Sequence, residues 1–406
     1  MTATKTSPTS IPVAERASRF AYAIRDIVEE ARRVEAAGTR VRYLNIGDPV
    51  AFGFETPPHM IEAVERAMRD GSNGYEPSAG ILPAREAVAA EYTRRGQPMS
   101  PDRVFIAAGT SEGIELTLTA LVDEGDEVLV PLPVYPLYTA VLCKLGAREK
   151  YYRTDSSAGW LPDLDHVRSL IGPRTRVIVV NDPNNPTGAV YPDAIRRELL
   201  EIADRAGCVL VADEVYIDVS YDGPVAPVGS LDLDSPVISL SSLSKAYLAP
   251  GWRTGWIAVG GGERLRNVAT AINKLGEARL CSTGPMQHGL IAALNGDRTH
   301  QETFRAALRE RAEVTAGRIN AIPGMSCVTP RAAFYAMPHV TLPPGKTDVD
   351  YVVGLLRATG VLCVHGSGFG LPAADGFLRI VFLASPGELH AIYDLIADFT
   401  KDYLRG

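Results

Sequence analysis

The chain reads as an α/β protein: a large domain on a mostly parallel sheet covered by helices, joined to a smaller α+β domain. Three observations predict this. Between about residues 100 and 260, short apolar runs at 104–107, 128–131, 177–180, 209–212, 237–240 and 256–259 alternate with helical segments. Strands apolar on both faces must be covered on both, which is the pattern of a buried parallel sheet. Beyond residue 320 the runs shorten and Pro and Gly punctuate them, the texture of a smaller mixed domain. Finally, 406 residues that are 46% hydrophobic supply core for two or three domains.

Taken in order, residues 1–17 are polar and rich in Thr, Ser and Pro, which predicts a mobile segment. Phe20 to Arg32 has helical apolar spacing, and 41–46 reads as a strand ending at the turn Gly47-Asp48-Pro49. The helix and arm over 18–47 are expected to join the small domain, the large domain to span 48–290 and the small domain 291–406. A helical region is predicted over 285–320, and after it helices over 348–359 and 386–404 with strand-like pieces at 324–330, 334–338, 362–365 and 378–382.

Net charge is −7, spread rather than clustered, so there is no basic footprint for nucleic acid and a small-molecule ligand is expected. No apolar run approaches the roughly 18 to 20 residues of a membrane span, and the start has no hydrophobic signal core, so a cytoplasmic protein is expected. Five scattered cysteines without Cys-x-x-Cys spacing suggest buried free thiols rather than disulfides or a zinc site, and no metal is expected.

The chemistry concentrates at strand ends. After the run 237–240 comes Ser242-Leu243-Ser244-Lys245, then Arg253. A lysine alone is usually a solvated charge. Delivered by a strand to a sheet's carboxyl end, however, an amine, two hydroxyls and a guanidinium can hold a phosphorylated aldehyde at both ends. That is a pyridoxal phosphate signature. After 209–212, Asp213 can pair with a protonated pyridine nitrogen and Tyr216 can bond the ring oxygen, although a helix cap or metal ligand are other readings of such an acid. Asn181 to Gly188 forms a rigid Asn/Pro/Gly loop in which Asn185-Pro186 is a candidate cis bond. Thr110 and Ser111, after the run 104–107, suit an anion at a helix N-terminus or plain capping. Tyr135 is a ring-stacking or core aromatic.

With these pieces in one order, the chain resembles the class I/II aminotransferases, the fold-type I pyridoxal phosphate enzymes, over about residues 18 to 404. The motifs are Asn184-Asn-Pro-Thr-Gly188, Asp213-x-x-Tyr216, Ser242-x-Ser-Lys245, Arg253 and Arg379. Within the family it is most similar to alanine aminotransferases of the archaeal and bacterial type, through Tyr22-Ala-Ile-Arg-Asp, Leu44-Asn-Ile-Gly-Asp-Pro-Val, Arg279-Leu-Cys281 and Val364 to Gly370.

The resemblance implies that Lys245 carries the cofactor as a Schiff base and then moves the substrate proton. It also implies that Asp213 holds the pyridinium, Tyr216 and Asn185 the ring oxygen, and that Tyr135 stacks on the ring. Thr110, Ser111, Ser242, Ser244 and Arg253 would bind the phosphate, with Tyr75 supplied by a second subunit of a homodimer that shares its active sites. Arg379, Gly47 and Asn185 would take the substrate α-carboxylate. Tyr22 is a further substrate residue. Arg279 is expected either to receive the distal carboxylate of glutamate or 2-oxoglutarate in the partner's site or to form an interface salt bridge.

Some positions depart from the family pattern. Asn181-Asp182 stands where an apolar residue and Asn are usual, Ala332 replaces a common Gly and Gly113 a larger residue. Asp182 and Ala332 are expected to reshape the substrate pocket. The predicted reaction is transfer between L-alanine and 2-oxoglutarate. Aspartate or another biosynthetic amino donor, a β-lyase and a cofactor-sensing regulator are the rivals, the last disfavoured because it needs an appended DNA-binding region.

Overall fold

The computed structural model describes residues 11, 13–18 and 23–405. The large sheet has eight strands in the spatial order Val104–Ala107, Gly255–Val259, Val237–Ser242, Val209–Asp213, Thr175–Asn181, Glu127–Leu132, Arg148–Asp155, Leu161–Pro162. The pairings from Val237–Ser242 across to Arg148–Asp155 are parallel, and those toward both edges are antiparallel. Each predicted run lies inside one of these strands. Arg148–Asp155 escaped the reading because only Tyr152 in it is buried, so it shows no apolar run. Gly255–Val259 reverses direction because residues 243–254 double back as a loop, and a parallel return needs a longer crossover, usually a helix.

Strand alternation sorts the sheet into two faces. Val177, Val179, Val211 and Leu240 pack with Ile114, Leu118, Tyr138 and Leu142. Ile178, Val180, Leu210 and Ala212 pack on the other side with Tyr191, Leu199 and Leu200. The period of two therefore puts Asn181 and Asp213 on the first face and Asp182 and Glu214 on the second.

The C-terminal strands are short. Tyr335–Ala336, Leu378–Val381 and Val364–His365 form an antiparallel sheet, while the strand predicted at 41–46 is reduced to Arg42–Tyr43, paired parallel to Val361–Leu362. Val381 N donates to Leu44 O at 2.8 Å, which brings the strand carrying Arg379 beside residues 44–47. Helix Ala23–Ala36 packs on helix Asp348–Thr359, with Arg357 Nε 2.7 Å from Glu30 Oε1. Among the described residues no helix is long and apolar enough to cross a membrane. Cys208, Cys327 and Cys363 are buried as expected, but Cys143 and Cys281 are only partly covered.

Glu214 shows what the second face does to a charge. Burial pushes its carboxyl up to about 7, although Val228 N at 2.7 Å and Tyr92 OH at 3.2 Å donate to it. Its folded value lies above the ordinary one near 4.3, so its contribution is intact below about pH 4 and is lost as pH rises through 7, on the order of 3 kcal/mol. Glu214→Gln is therefore expected to leave the thermal midpoint nearly unchanged at pH 5 and to raise it by several degrees at pH 8, read by calorimetry. Equal shifts at both pH values would contradict this.

Candidate active site

The cavity at the carboxyl ends of the parallel strands has a volume of about 530 Å³ and is walled by Lys245, Asp213, Arg379 and Arg253 among others. Open α/β sheets bind ligands there because the strand ends and the helix N-termini that follow converge. Asn181, Asp213 and Ser242 are the last residues of three adjacent parallel strands, with Asn181 in register with Asp213.

Asp213 is buried, and its carboxyl is pushed up to about 6 by loss of water. Val215 N at 3.4 Å, Tyr138 OH at 3.1 Å, the Asn181 amide and the charge of Lys245 pull it back. Lys245 moves the opposite way, down to about 8, chiefly through burial and secondarily through Arg379 and Arg253, against Asp48 and Asp213. Its Nζ donates to Gly47 O at 2.7 Å. Tyr216 and Tyr335 share a hydrogen bond of 2.9 Å, and burial holds the Tyr216 phenol well above its usual value.

One end of the cavity is built for an anion. Helix Thr110–Leu121 points its N-terminus inward, with Thr110 and Ser111 in the wall and the Thr110 hydroxyl buried without a hydrogen-bond partner. Gly109 precedes it at φ 81°, and a Cβ there would lie 2.4 Å from Arg253 Nη2. Arg253 holds the left-handed φ of 49° and donates to Pro250 O at 2.8 Å and Ala108 O at 3.2 Å. Ser242 and Ser244 complete this wall, with Ser244 N donating to Ser242 Oγ at 3.2 Å.

The other end holds Arg379, 2% exposed, between the rings of Tyr335 and Phe369, each 4.9 Å from its guanidinium carbon. Nη2 donates to Asn45 O at 2.6 Å and Nη1 meets Asn185 Oδ1 at 3.4 Å. A planar fork fixed in this way suits a carboxylate. Gly47 lies so close that an added Cβ would stand 2.2 Å from the Tyr335 hydroxyl. Asn185–Pro186 is cis, as are Asp182–Pro183 and Leu132–Pro133.

The structure thus brings together Lys245, Asp213, Tyr216, Asn185, Tyr135, Thr110, Ser111, Ser242, Ser244, Arg253, Arg379 and Gly47 in one wall. Three predicted residues are not in it. Tyr75 is 85% exposed. Arg279 pairs with Glu112 at 3.0 Å and donates to Ile106 O at 2.7 Å. Tyr22 lies outside the described residues.

Two expectations need correction. Asp182 falls on the opposite face of the sheet, where it accepts from Tyr191 N at 2.8 Å, and Ala332 is buried in a bridge to Ser220. Neither lines the cavity. Sequence reading missed Asn45, Asp48, Tyr138 and Tyr335 as site residues. Asp48 sits in the quoted Gly47-Asp48-Pro49 turn and Tyr138 one helical turn beyond Tyr135, which were the available signals.

The chain is similar to known proteins over nearly its whole length. Residues 40–394 match the family model of class I and II aminotransferases. The glutamate-pyruvate aminotransferase AlaA of Haemophilus influenzae is 36% identical over 97% of this chain and 98% of its own length. The alanine aminotransferase of Mycobacterium bovis is 38% identical over 94% and 91%. Among solved structures, an alanine aminotransferase from Pyrococcus furiosus superposes with TM-score 0.94 at 39% identity, covering 96% of this chain and all of that one. A Thermus thermophilus aspartate aminotransferase gives 0.88 at 29%, with 96% and full coverage.

The anion end makes a prediction of its own. The ligand-free protein is expected to bind inorganic phosphate, and Arg253→Met to weaken that binding at least about tenfold, as a charge-assisted hydrogen bond requires. Isothermal titration reads it, and unchanged affinity would place the anion site elsewhere.

Proposed function

The chain belongs to the class I and II aminotransferases, and we propose that it is a pyridoxal phosphate-dependent, cytoplasmic homodimer that moves an amino group between L-alanine and 2-oxoglutarate, giving pyruvate and L-glutamate. The observation that carries this is one cavity lined by an amine with a depressed pKa, a buried carboxylate and arginines at its phosphate and carboxylate ends. Both curated relatives above are named for alanine or for glutamate and pyruvate, which favours that pair over aspartate.

The residues fit the cofactor. The unpartnered Thr110 hydroxyl, Ser111, Ser242, Ser244 and Arg253 would take the phosphate, Asp213 the ring nitrogen, Tyr216 and Asn185 the ring oxygen, and Tyr135 the ring face. Bound there, pyridoxal phosphate supplies a carbonyl for the substrate amine and an electron sink for its α-carbon. Arg379 fixes the α-carboxylate and so aims the α-hydrogen. Lys245, with an amine near neutrality, takes and returns that proton. Acceptor and donor use the site in turn, which is ping-pong kinetics. Tyr75, exposed on this chain, would complete the phosphate end of the neighbouring copy. Arg279 would meet the distal carboxylate of 2-oxoglutarate there, and Tyr22 the substrate.

Lys245→Ala is expected to abolish both the visible absorbance of bound cofactor as a lysine adduct and turnover of alanine with 2-oxoglutarate. A variant keeping both would overturn the assignment. Arg279→Ala should raise KM for 2-oxoglutarate about tenfold more than KM for pyruvate, whereas equal changes would leave Arg279 only its pairing with Glu112.

A further inference from the structure

Asn181 is a polar residue, 2% exposed, that follows the apolar run Val177 to Val180 at the end of its strand, in a position where the family pattern has an apolar side chain. Burying an amide is costly unless both its ends are bonded. Here both are. Oδ1 accepts from Asn185 N at 2.6 Å, which leaves the amide nitrogen for Asp213, the in-register residue of the neighbouring strand in the same cavity wall, whose carboxyl Asn181 helps to hold down. Asn185 in turn meets Arg379 at 3.4 Å. One side chain therefore links the carboxylate at the ring-nitrogen end to the loop at the carboxylate end.

We propose that Asn181 is a positioning residue for transamination: its amide holds Asp213 ionised and aimed at the cofactor ring nitrogen while it fixes the Asn185 backbone beneath Arg379. This rests on the pyridoxal phosphate reading above. The groups facing Asp213 support it. Tyr138, from helix Pro136–Leu145, can donate to a carboxylate or accept from a protonated carboxyl. Val215 N lies at 3.4 Å, and Lys245 adds its charge from the loop beyond the next strand. The side-chain amide nitrogen can only donate, so it favours the charged form of Asp213 whatever Tyr138 does, whereas the Tyr138 hydroxyl favours it only while it donates. Without it Asp213 would accept a proton more readily and would hold a protonated ring nitrogen less well, so the ring would serve less well as an electron sink.

Two variants of the holoenzyme separate the two contacts. Asn181→Leu removes both, while Asn181→Asp keeps the acceptor for Asn185 N but replaces the donor with a second carboxylate. Titrating the apoprotein with pyridoxal phosphate, both variants are expected to bind it about tenfold more weakly or worse. The pH at which the bound cofactor changes its absorbance should rise by about one unit, more in Asn181→Asp. KM for L-alanine should rise more in Asn181→Leu, which alone frees the Asn185 backbone. Variants that only unfold at lower temperature, with wild-type cofactor affinity and absorbance titration, would overturn the proposal and leave the function standing. A wild-type protein that takes up no pyridoxal phosphate would overturn both.

Discussion

Charge held away from water at the carboxyl ends of three adjacent parallel strands is the constraint on which the structure depends. Burial raises the Asp213 carboxyl to about 6 and lowers the Lys245 amine to about 8, so each group is driven toward its neutral form within one cavity. A carboxylate and an amine in that condition need only a small change of surroundings to exchange or keep a proton near neutral pH. The apolar strands on both sides of the sheet supply the low-dielectric setting, and the hydrogen bonds from Tyr138, Asn181 and Val215 keep Asp213 from losing its charge altogether.

The framework positions cations by the same logic. Among the described residues the Arg253 guanidinium is anchored by the carbonyl oxygens of Pro250 and Ala108 rather than by a carboxylate, so its charge stays available to an anion at the Thr110 helix N-terminus. That arrangement follows from the reversed strand Gly255–Val259: the loop that precedes it returns the chain to the same cavity that Lys245 has just left. At the opposite end, three short C-terminal strands and the pairing of Arg42–Tyr43 with Val361–Leu362 set Arg379 against the Asn45 carbonyl, two residues before Gly47. Glycine is required at position 47 because the Tyr335 hydroxyl occupies the space of a side chain.

Much of this was legible in the sequence because it is local. Asp213 follows an apolar run directly and Tyr216, Asn185 and Lys245 come within five residues of one, so motif and strand end are read together. The two apolar faces of the central strands likewise announce a covered sheet. What escaped depends on distant partners. Tyr138 becomes a site residue only because its hydroxyl reaches Asp213, and Tyr335 only because its ring covers Arg379 and its hydroxyl meets Tyr216. The expectation for Asp182 failed on a parity of one: its neighbour Asn181 faces the cavity, so Asp182 must face Tyr191. Strand Arg148–Asp155 was invisible because it carries a single buried side chain.

The central claim is that one cavity takes an amino group from one substrate, keeps it and gives it to another. The direct measurement is product stoichiometry when L-alanine is added to the cofactor-loaded protein without any amino acceptor. One pyruvate per protomer, no ammonia and then arrest are expected, with 2-oxoglutarate restarting the reaction and appearing as glutamate. Continued release of pyruvate together with ammonia, in the absence of an acceptor, would contradict it.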